Sequence, residues 1–466
     1  MSQLRLPQHA AILLAVFCML SAARAQVVPE PQREQLLNGL PVYLWQVPGD
    51  KDVLVKLRIH SGAAFDVTGK AGEMVMLGDL LFPDPTTREY FTEEMAGRLE
   101  VDTNYDSITV TMQGRAAQFE RIIEILRTAL VSTQITPENV ARIREGRTKI
   151  TKETSISPSV VADRAIAARL FGDFPYGRPV SGSVESLSRI DRADLLLARE
   201  RFLNANNSTL TITGGVQRAR ALRALRQLLG SWRKSEQNVP STFRQPEPPA
   251  LPALIVNAPS DQSAEVRLAT RGLARSDRDS AAATILALVA RKRWETLLPE
   301  LTHNPTFVRN DAHVLPGMFV LGAGGDTLLA ARTIKTAREV IQSLSSTAPS
   351  ADEVEQAKSE VVSAVMKDLS TPNGISEAWL DIDTYHLPPV AEQLAILKAV
   401  SPANIQRVAS RIFKEGQVAS VVIGNSKQLQ AVLEPTIKVE LVGELEPPPN
   451  KTEPKSPTMT PLKKPE

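Results

Sequence analysis

Hydrophobic and polar positions change period several times along the chain, and each change marks an element. Residues 39–47 and 52–60 read as strands, the second rich in β-branched side chains. Residues 71–82 form an apolar run of helical character, and 89–99 predict a further helix. Residues 107–113 (SITVTMQ) alternate with period two, as a half-buried strand does. Residues 116–130 then gather Phe119, Ile122, Ile123, Ile125 and Leu126 towards one side of an amphipathic helix. Strands interleaved with helices in this way predict an α+β fold, in which a mostly antiparallel sheet is covered by helices.

The pattern occurs twice. Ile190-Asp191-Arg192-Ala193-Asp194-Leu195 has a counterpart 210 residues on, in Val400-Ser401-Pro402-Ala403-Asn404-Ile405. The β-rich run 210–216 (LTITGGV) matches 419–425 (ASVVIGN), each ending at glycine. A helix opening at Thr136, with Val140 and Ile143 on one face, resembles one opening at Ser350, with Val354 and Ala357. Three matches in one order at nearly the same offset indicate duplication. Between the halves, residues 234–252 hold five prolines in nineteen positions and read as an extended linker. Residues 446–466, with seven prolines in twenty-one, have too little apolar content to offset the cost of ordering. The expected organisation is therefore a leader at 1–25, domains at 26–233 and 253–445, a linker at 234–252 and a tail at 446–466.

The leader carries Arg5, an apolar core from Ala10 to Leu20, and Ala23-Arg24-Ala25 before Gln26. That is the form of a cleavable secretory signal, cut after Ala25, and it places the mature protein in the periplasm or outside the cell. The apolar run is too short to span a bilayer, and no second candidate span follows. Cys18, the sole cysteine, leaves with the leader, so neither a disulfide nor a thiolate ligand is expected afterwards. Loss of Arg5 and Arg24 leaves 52 basic against 52 acidic residues. A neutral chain without a basic strip is not built to hold nucleic acid.

Chemistry must then come from a few places. The mature histidines are His60, His303, His313 and His386, and no two fall within four residues of each other. His303 and His313 could meet across a hairpin, but surface or structural roles are expected of all four. No Gly-x-Ser-x-Gly elbow occurs. Gly322-Ala323-Gly324-Gly325-Asp326 lacks the Lys-Ser/Thr of a phosphate loop, and is expected to end a strand and turn into the helix from Thr327.

Residues 69–82 (GKAGEMVMLGDLLF) resemble the zinc helix of insulinase-like (M16) peptidases, in which His-x-x-Glu-His precedes a short apolar run ending in Phe. Aligned on Gly72 and Leu80-Leu81-Phe82, the two histidine positions fall on Val75 and Asp79, and the glutamate position falls on Gly78. The resemblance extends to Asn38-Gly39-Leu40, to Ile59-His60-Ser61-Gly62-Ala63-Ala64, and to Pro175-Tyr176-Gly177-Arg178-Pro179 followed by Glu185-Ser186-Leu187. It implies two homologous M16-type sandwich domains forming a clamshell.

The resemblance also says what is missing. Two imidazoles at i and i+4 hold zinc while a carboxylate at i+3 activates its water. Here the face offers a valine, a glycine and one aspartate. The family's third ligand aligns with Glu145, and Asp79 with Glu145 would give two carboxylates and no imidazole. That pair suits calcium or magnesium only if further oxygens converge. The family's substrate arginine and tyrosine align with Glu300 and Phe307, although Arg291, Arg293 and Arg309 lie near enough to shift that register. No catalytic residue, metal ligand or cofactor is therefore expected, and no substrate-binding residue is assigned. The expectation is a non-catalytic subunit that partners an active M16 peptidase, or itself, and helps enclose peptides. An active metalloendopeptidase with an atypical metal site and a structural component of an envelope complex are the alternatives.

Overall fold

A computed structural model describes residues 30–236, 252–258, 263–301, 306–414, 417–435 and 437–444. The leader, the tail and all but the ends of the linker lie outside the described residues. The N-terminal half carries strands β1 (Gln32–Gln35), β2 (Pro41–Gln46), β3 (Asp52–Ile59), β4 (Arg98–Thr103), β5 (Ile108–Arg115) and β6 (Ser208–Gly214). Its helices are α1 (Glu73–Asp79), α2 (Pro85–Glu93), α3 (Phe119–Arg127), α4 (Pro137–Thr154), α5 (Pro158–Phe171), α6 (Val184–Ser188), α7 (Arg192–Phe202) and α8 (Arg218–Leu229). The C-terminal half carries β7 (Ala253–Asn257), β8 (Ser263–Arg271), β9 (Thr306–Asp311), β10 (Met318–Asp326), β11 (Ala419–Gly424) and β12 (Val439–Glu444). With these come α9 (Ser280–Leu297), α10 (Ala330–Ser346), α11 (Ala351–Asp368), α12 (Pro372–Tyr385), α13 (Val390–Lys398), α14 (Pro402–Lys414) and α15 (Ser426–Leu433).

The two sheets are topological copies. Their strand orders are β1-β2-β6-β3-β5-β4 and β12-β7-β11-β8-β10-β9. Thr211 of β6 lies between Tyr43 and Lys56, as Val421 of β11 lies between Leu254 and Arg267. These pairs reproduce the offset of about 210 residues seen in the sequence repeat. Pairing is antiparallel except at β2/β6, β7/β11 and β7/β12. Only the outer edge differs. It is supplied by β1 at the start of one half and by β12 at the end of the other.

Several helix starts follow from local chemistry. Thr136 caps α4 by accepting from the Asn139 amide at 3.2 Å, with Pro137 in the first turn. Ser350 and Glu353 form a reciprocal capping box on α11. The helix expected at 89–99 is displaced: α2 ends at Glu93, and Leu99 belongs to β4. Asp84, accepting from the Thr86 amide at 3.0 Å, starts α2 early, and Ala96 at φ 46° breaks the helical path. The alternation through Leu99, Val101 and Thr103 then pairs with β5.

Each sheet buries one face under its own helices and the other under a helix from the opposite half. Val53, Val55, Leu57 and Ile59 of β3 enter the N-terminal core with helices of the same half. The other face of that sheet is covered by α12, which packs on β6 and β3. Reciprocally, α5 packs on β8 and β11, where Ala162, Ile166 and Leu170 join Leu254, Val421 and Ile423 in one apolar cluster.

The covered faces are not purely apolar. Lys56 and Arg58 of β3, and His60 just beyond its end, point towards α12. Lys56 pairs with Glu377, and Arg58 pairs with Glu377 and, at 2.6 Å, with Asp381. On β8, Arg267 is 1% exposed and pairs with Asp163 of α5 at 2.6 Å. A second junction gathers at buried Asp106, which accepts from the Tyr176 and Tyr385 hydroxyls and the Val314 amide, with His313 Nδ1 3.0 Å away.

The α12 contact is open to two tests. Glu377→Ala strips a shared carboxylate from two nearly buried cations and is expected to cost about 3 kcal/mol in chemical denaturation. A loss below about 0.5 kcal/mol, the level of an ordinary surface change, would show that this pairing does not hold the halves together. His60 lies 2.9 Å from the Thr209 hydroxyl and 3.1 Å from that of Thr384, and burial pushes its imidazole from 6.5 down to about 4. The unfolded chain therefore takes up this proton first. The resulting stability is complete above pH 6.5 and is lost as the pH falls towards 4, by about 3 kcal/mol in total. His60→Gln should flatten the pH dependence of stability across that window.

Candidate functional site

Helix α1 is held at its entry by two carboxylates. Asp66, almost wholly buried, accepts from the Gly72 amide at 2.7 Å and the Met74 amide at 2.8 Å, while Glu73 accepts from the Val67 amide at 3.0 Å. Burial raises the Asp66 carboxyl to about 7 despite the two amides, which favour its charged form. Gly72 takes φ 97°, a left-handed conformation that a side chain would strain. The 175–187 segment locks this entry from outside: Arg178 donates to the Asp66 carbonyl at 3.0 Å, and the Ser186 hydroxyl donates to the Ala71 carbonyl at 2.7 Å. The two signature stretches of the sequence thus touch each other around the start of one helix.

Along α1 the three expected positions separate. Val75 is buried and faces a cavity of about 450 Å³. Gly78 lies against β4 and β5, and a Cβ there would stand 3.0 Å from Thr103 Oγ1 and 3.4 Å from Val101 and Ile108. Asp79 is gripped bidentately by Arg147 of α4, at 2.5 and 2.6 Å. Glu145, aligned with the third metal ligand, is exposed and makes no ion pair among the described residues. The inward face of α4 instead runs through Val140, Arg144, Arg147 and Thr151, so a guanidinium and not a carboxylate meets Asp79. Among the described residues, no three of His, Cys, Asp and Glu come together in a group able to hold a metal.

The three aligned positions of α1 therefore do not fit zinc: they offer no imidazole, and their one carboxylate, Asp79, is already neutralised by Arg147. The second region fares likewise. Glu300 pairs with Arg332, and Phe307 lies in β9 under the guanidinium groups of Arg267 and Arg309 at 4.9 and 4.4 Å. Arg291 and Arg293 are engaged with carboxylates of α11, while Arg309 reaches Asp163 and Asp311. His303 lies outside the described residues. His60 and His313 serve the contacts between halves, and His386 is an exposed helix cap at φ 53°.

The cavity is bounded by α1, β4, α5, the 177–181 turn and Met318 of β10. Sequence reasoning missed the three arginines that converge on it: Arg147, Arg164 and Arg178. Only Arg178, inside the Pro-Tyr-Gly-Arg-Pro stretch, lay in a motif that could have signalled the site.

A family model described as the peptidase M16 inactive domain matches residues 189–361. Over that stretch the chain is similar to the M16 peptidase family. Among curated relatives, an uncharacterized zinc protease of Rickettsia felis is 20% identical over 44% of this chain and 51% of its own. Human cytochrome b-c1 complex subunit 1 is 23% identical over 47% of each chain. The chain spans about half the length of the curated relatives it matches. Among solved structures, a peptidase M16 inactive domain from Pseudomonas fluorescens superposes with TM-score 0.74 at 16% identity, covering 85% of this chain and 98% of the other. A Helicobacter pylori protease gives TM-score 0.78 at 16% identity, covering 85% and 100%. These likenesses establish the M16 fold across both halves.

The packing around Gly78 leads to a test. Val75→His/Gly78→Glu/Asp79→His writes the zinc motif back into α1, but the glutamate introduced at position 78 must displace Thr103, and Arg147 still faces position 79. The triple variant is expected to lose about 1–3 kcal/mol through overpacking and to bind no stoichiometric zinc by elemental analysis. One tightly held zinc per chain would show that the site tolerates reconstruction.

Proposed function

We propose that this chain is an exported, non-catalytic M16 subunit that pairs with an active M16 peptidase and helps enclose its peptide substrates. One observation carries the reading: the cavity beside α1 is kept open, while the metal positions are a valine, a glycine and an aspartate bound by Arg147. A water-activating zinc centre needs imidazole ligands and a free carboxylate beside them, and the aligned positions of α1 offer a valine, a glycine and an aspartate already paired with Arg147. Strand β4 ends its sheet among the described residues and lines the same cavity, so its outer edge is available to an extended peptide. Membership of a complex is supported by the likeness to cytochrome b-c1 complex subunit 1, which by its name is such a subunit. Export is supported by the Arg5, Ala10–Leu20 and Ala23–Ala25 pattern. No helix among the described residues is long and apolar enough to cross a membrane.

Purification of the native protein from the cell envelope tests this reading. The expected result is a mature chain starting at Gln26, recovered with a second M16 chain that carries His-x-x-Glu-His. Chelator-sensitive peptide cleavage should require that second chain. Cleavage by the isolated chain, with one zinc bound, would reverse the assignment.

A further inference from the structure

The cavity beside α1 carries an electrostatic imbalance that the loss of zinc chemistry does not explain. Three arginines line it, and only one is neutralised there: Arg147, by Asp79. Arg164 of α5 makes a single side-chain hydrogen bond, to the Ser181 hydroxyl at 3.2 Å, and no ion pair among the described residues. Arg178 donates to a backbone carbonyl and likewise has no ion pair there, while its Nε is buried without an acceptor.

The carboxylates nearby do not compensate. Asp163 is committed to Arg267 and Arg309. Asp66 has both oxygens on the α1 amides. Asp102 is exposed on β4. Burial lowers the affinity of both guanidinium groups for their protons, and at Arg178 the charges of Asp66 and Asp173 oppose this only in part. A half-buried, unpaired guanidinium is costly, and a bound anion removes much of that cost.

The shape of the site narrows the anion. Its wall includes Val101, Asp102 and Thr103 of the open strand β4, which presents unpaired backbone groups to an extended chain. The remaining lining is largely apolar, with Val75, Val160, Ala167, Pro179 and Met318 beside Tyr105. Resting on the peptide-enclosing role above, we propose that the cavity is a carboxylate pocket: a peptide laid along β4 places an acidic group against Arg164 and Arg178. The subunit thereby selects acidic peptide segments for the assembly and rejects basic ones.

Binding of fluorescein-labelled extended peptides to the native complex tests this, with peptides blocked at both ends and rich in glutamate, glutamine or lysine. The glutamate peptide is expected to bind about tenfold more tightly than its glutamine counterpart, an advantage that shrinks as salt rises. Arg164→Gln and, separately, Arg178→Gln should each remove most of that advantage, and co-purification with the second chain together with an unchanged circular dichroism spectrum reports that each variant folds. Arg223→Gln, the same charge change on the distant helix α8, should leave it intact. A glutamine peptide that gains affinity once its C-terminus is unblocked identifies a terminal carboxylate as the occupant, and it too should lose that gain in Arg164→Gln. Equal binding of all peptides, insensitive to Arg164→Gln, overturns the carboxylate pocket and leaves the peptide-enclosing role standing. Much tighter binding of a phosphoserine peptide also overturns it, since the pocket would then be built for phosphate. If the complex binds no peptide of any class, the role and the pocket fall together.

Discussion

The molecule depends on pairing a buried base on the central strand of each sheet with an acid on a helix lent by the other half. Lys56 and Arg58 on β3 meet Glu377 and Asp381 on α12, and Arg267 on β8 meets Asp163 on α5. In the duplicated framework Lys56 and Arg267 occupy equivalent register positions. A cation on a sheet face without its helix would be left in an apolar setting, and the helix without its sheet would expose an apolar side. Neither sheet can therefore be sealed by its own half. The apolar clusters on the two shared faces, one around Trp379 and one around Ile166, add the area. The charges fix which helix goes where.

This interlock makes the walls of the candidate site independent of the residues at positions 75, 78 and 79. Helix α1 belongs to the N-terminal core through Met74, Met76 and Leu77, and its entry is braced by Asp66, Arg178 and Ser186. None of those contacts involves positions 75, 78 and 79. The metal positions could change without disturbing the braces. The cavity survives because α5, which forms one of its walls, is held in place by the C-terminal sheet.

Much of this was legible in the sequence, and the limits have physical causes. Strand alternation, helix caps and the repeat offset are local or self-similar features, and they give the two sheets, α4 and the turn from β10 towards α10. The 89–99 segment misled because Leu99, Val101 and Thr103 alternate only after Ala96 has left the helical path, a backbone event that composition does not announce. Glu145 misled for a geometric reason. Two positions along a helix rotate a side chain by about 200°, so the neighbour that meets Asp79 is Arg147. Lys56, Arg58 and His60 sit visibly at alternate positions of residues 52–60, yet their partners lie more than three hundred residues away. Nothing in either segment alone reveals the other.

The exchanged helices also give the two halves unequal histories. Asp163 precedes Arg267 by 104 residues, so the helix that covers the C-terminal sheet is already made when that sheet emerges. Glu377 follows Lys56 by 321 residues, so the N-terminal sheet waits, cations uncovered, for nearly the whole chain. Long sequence separation of this kind slows folding and leaves apolar faces open in the interval. The first half to be synthesised is thus the last to be closed, and the protein reaches its final form only when α12 arrives.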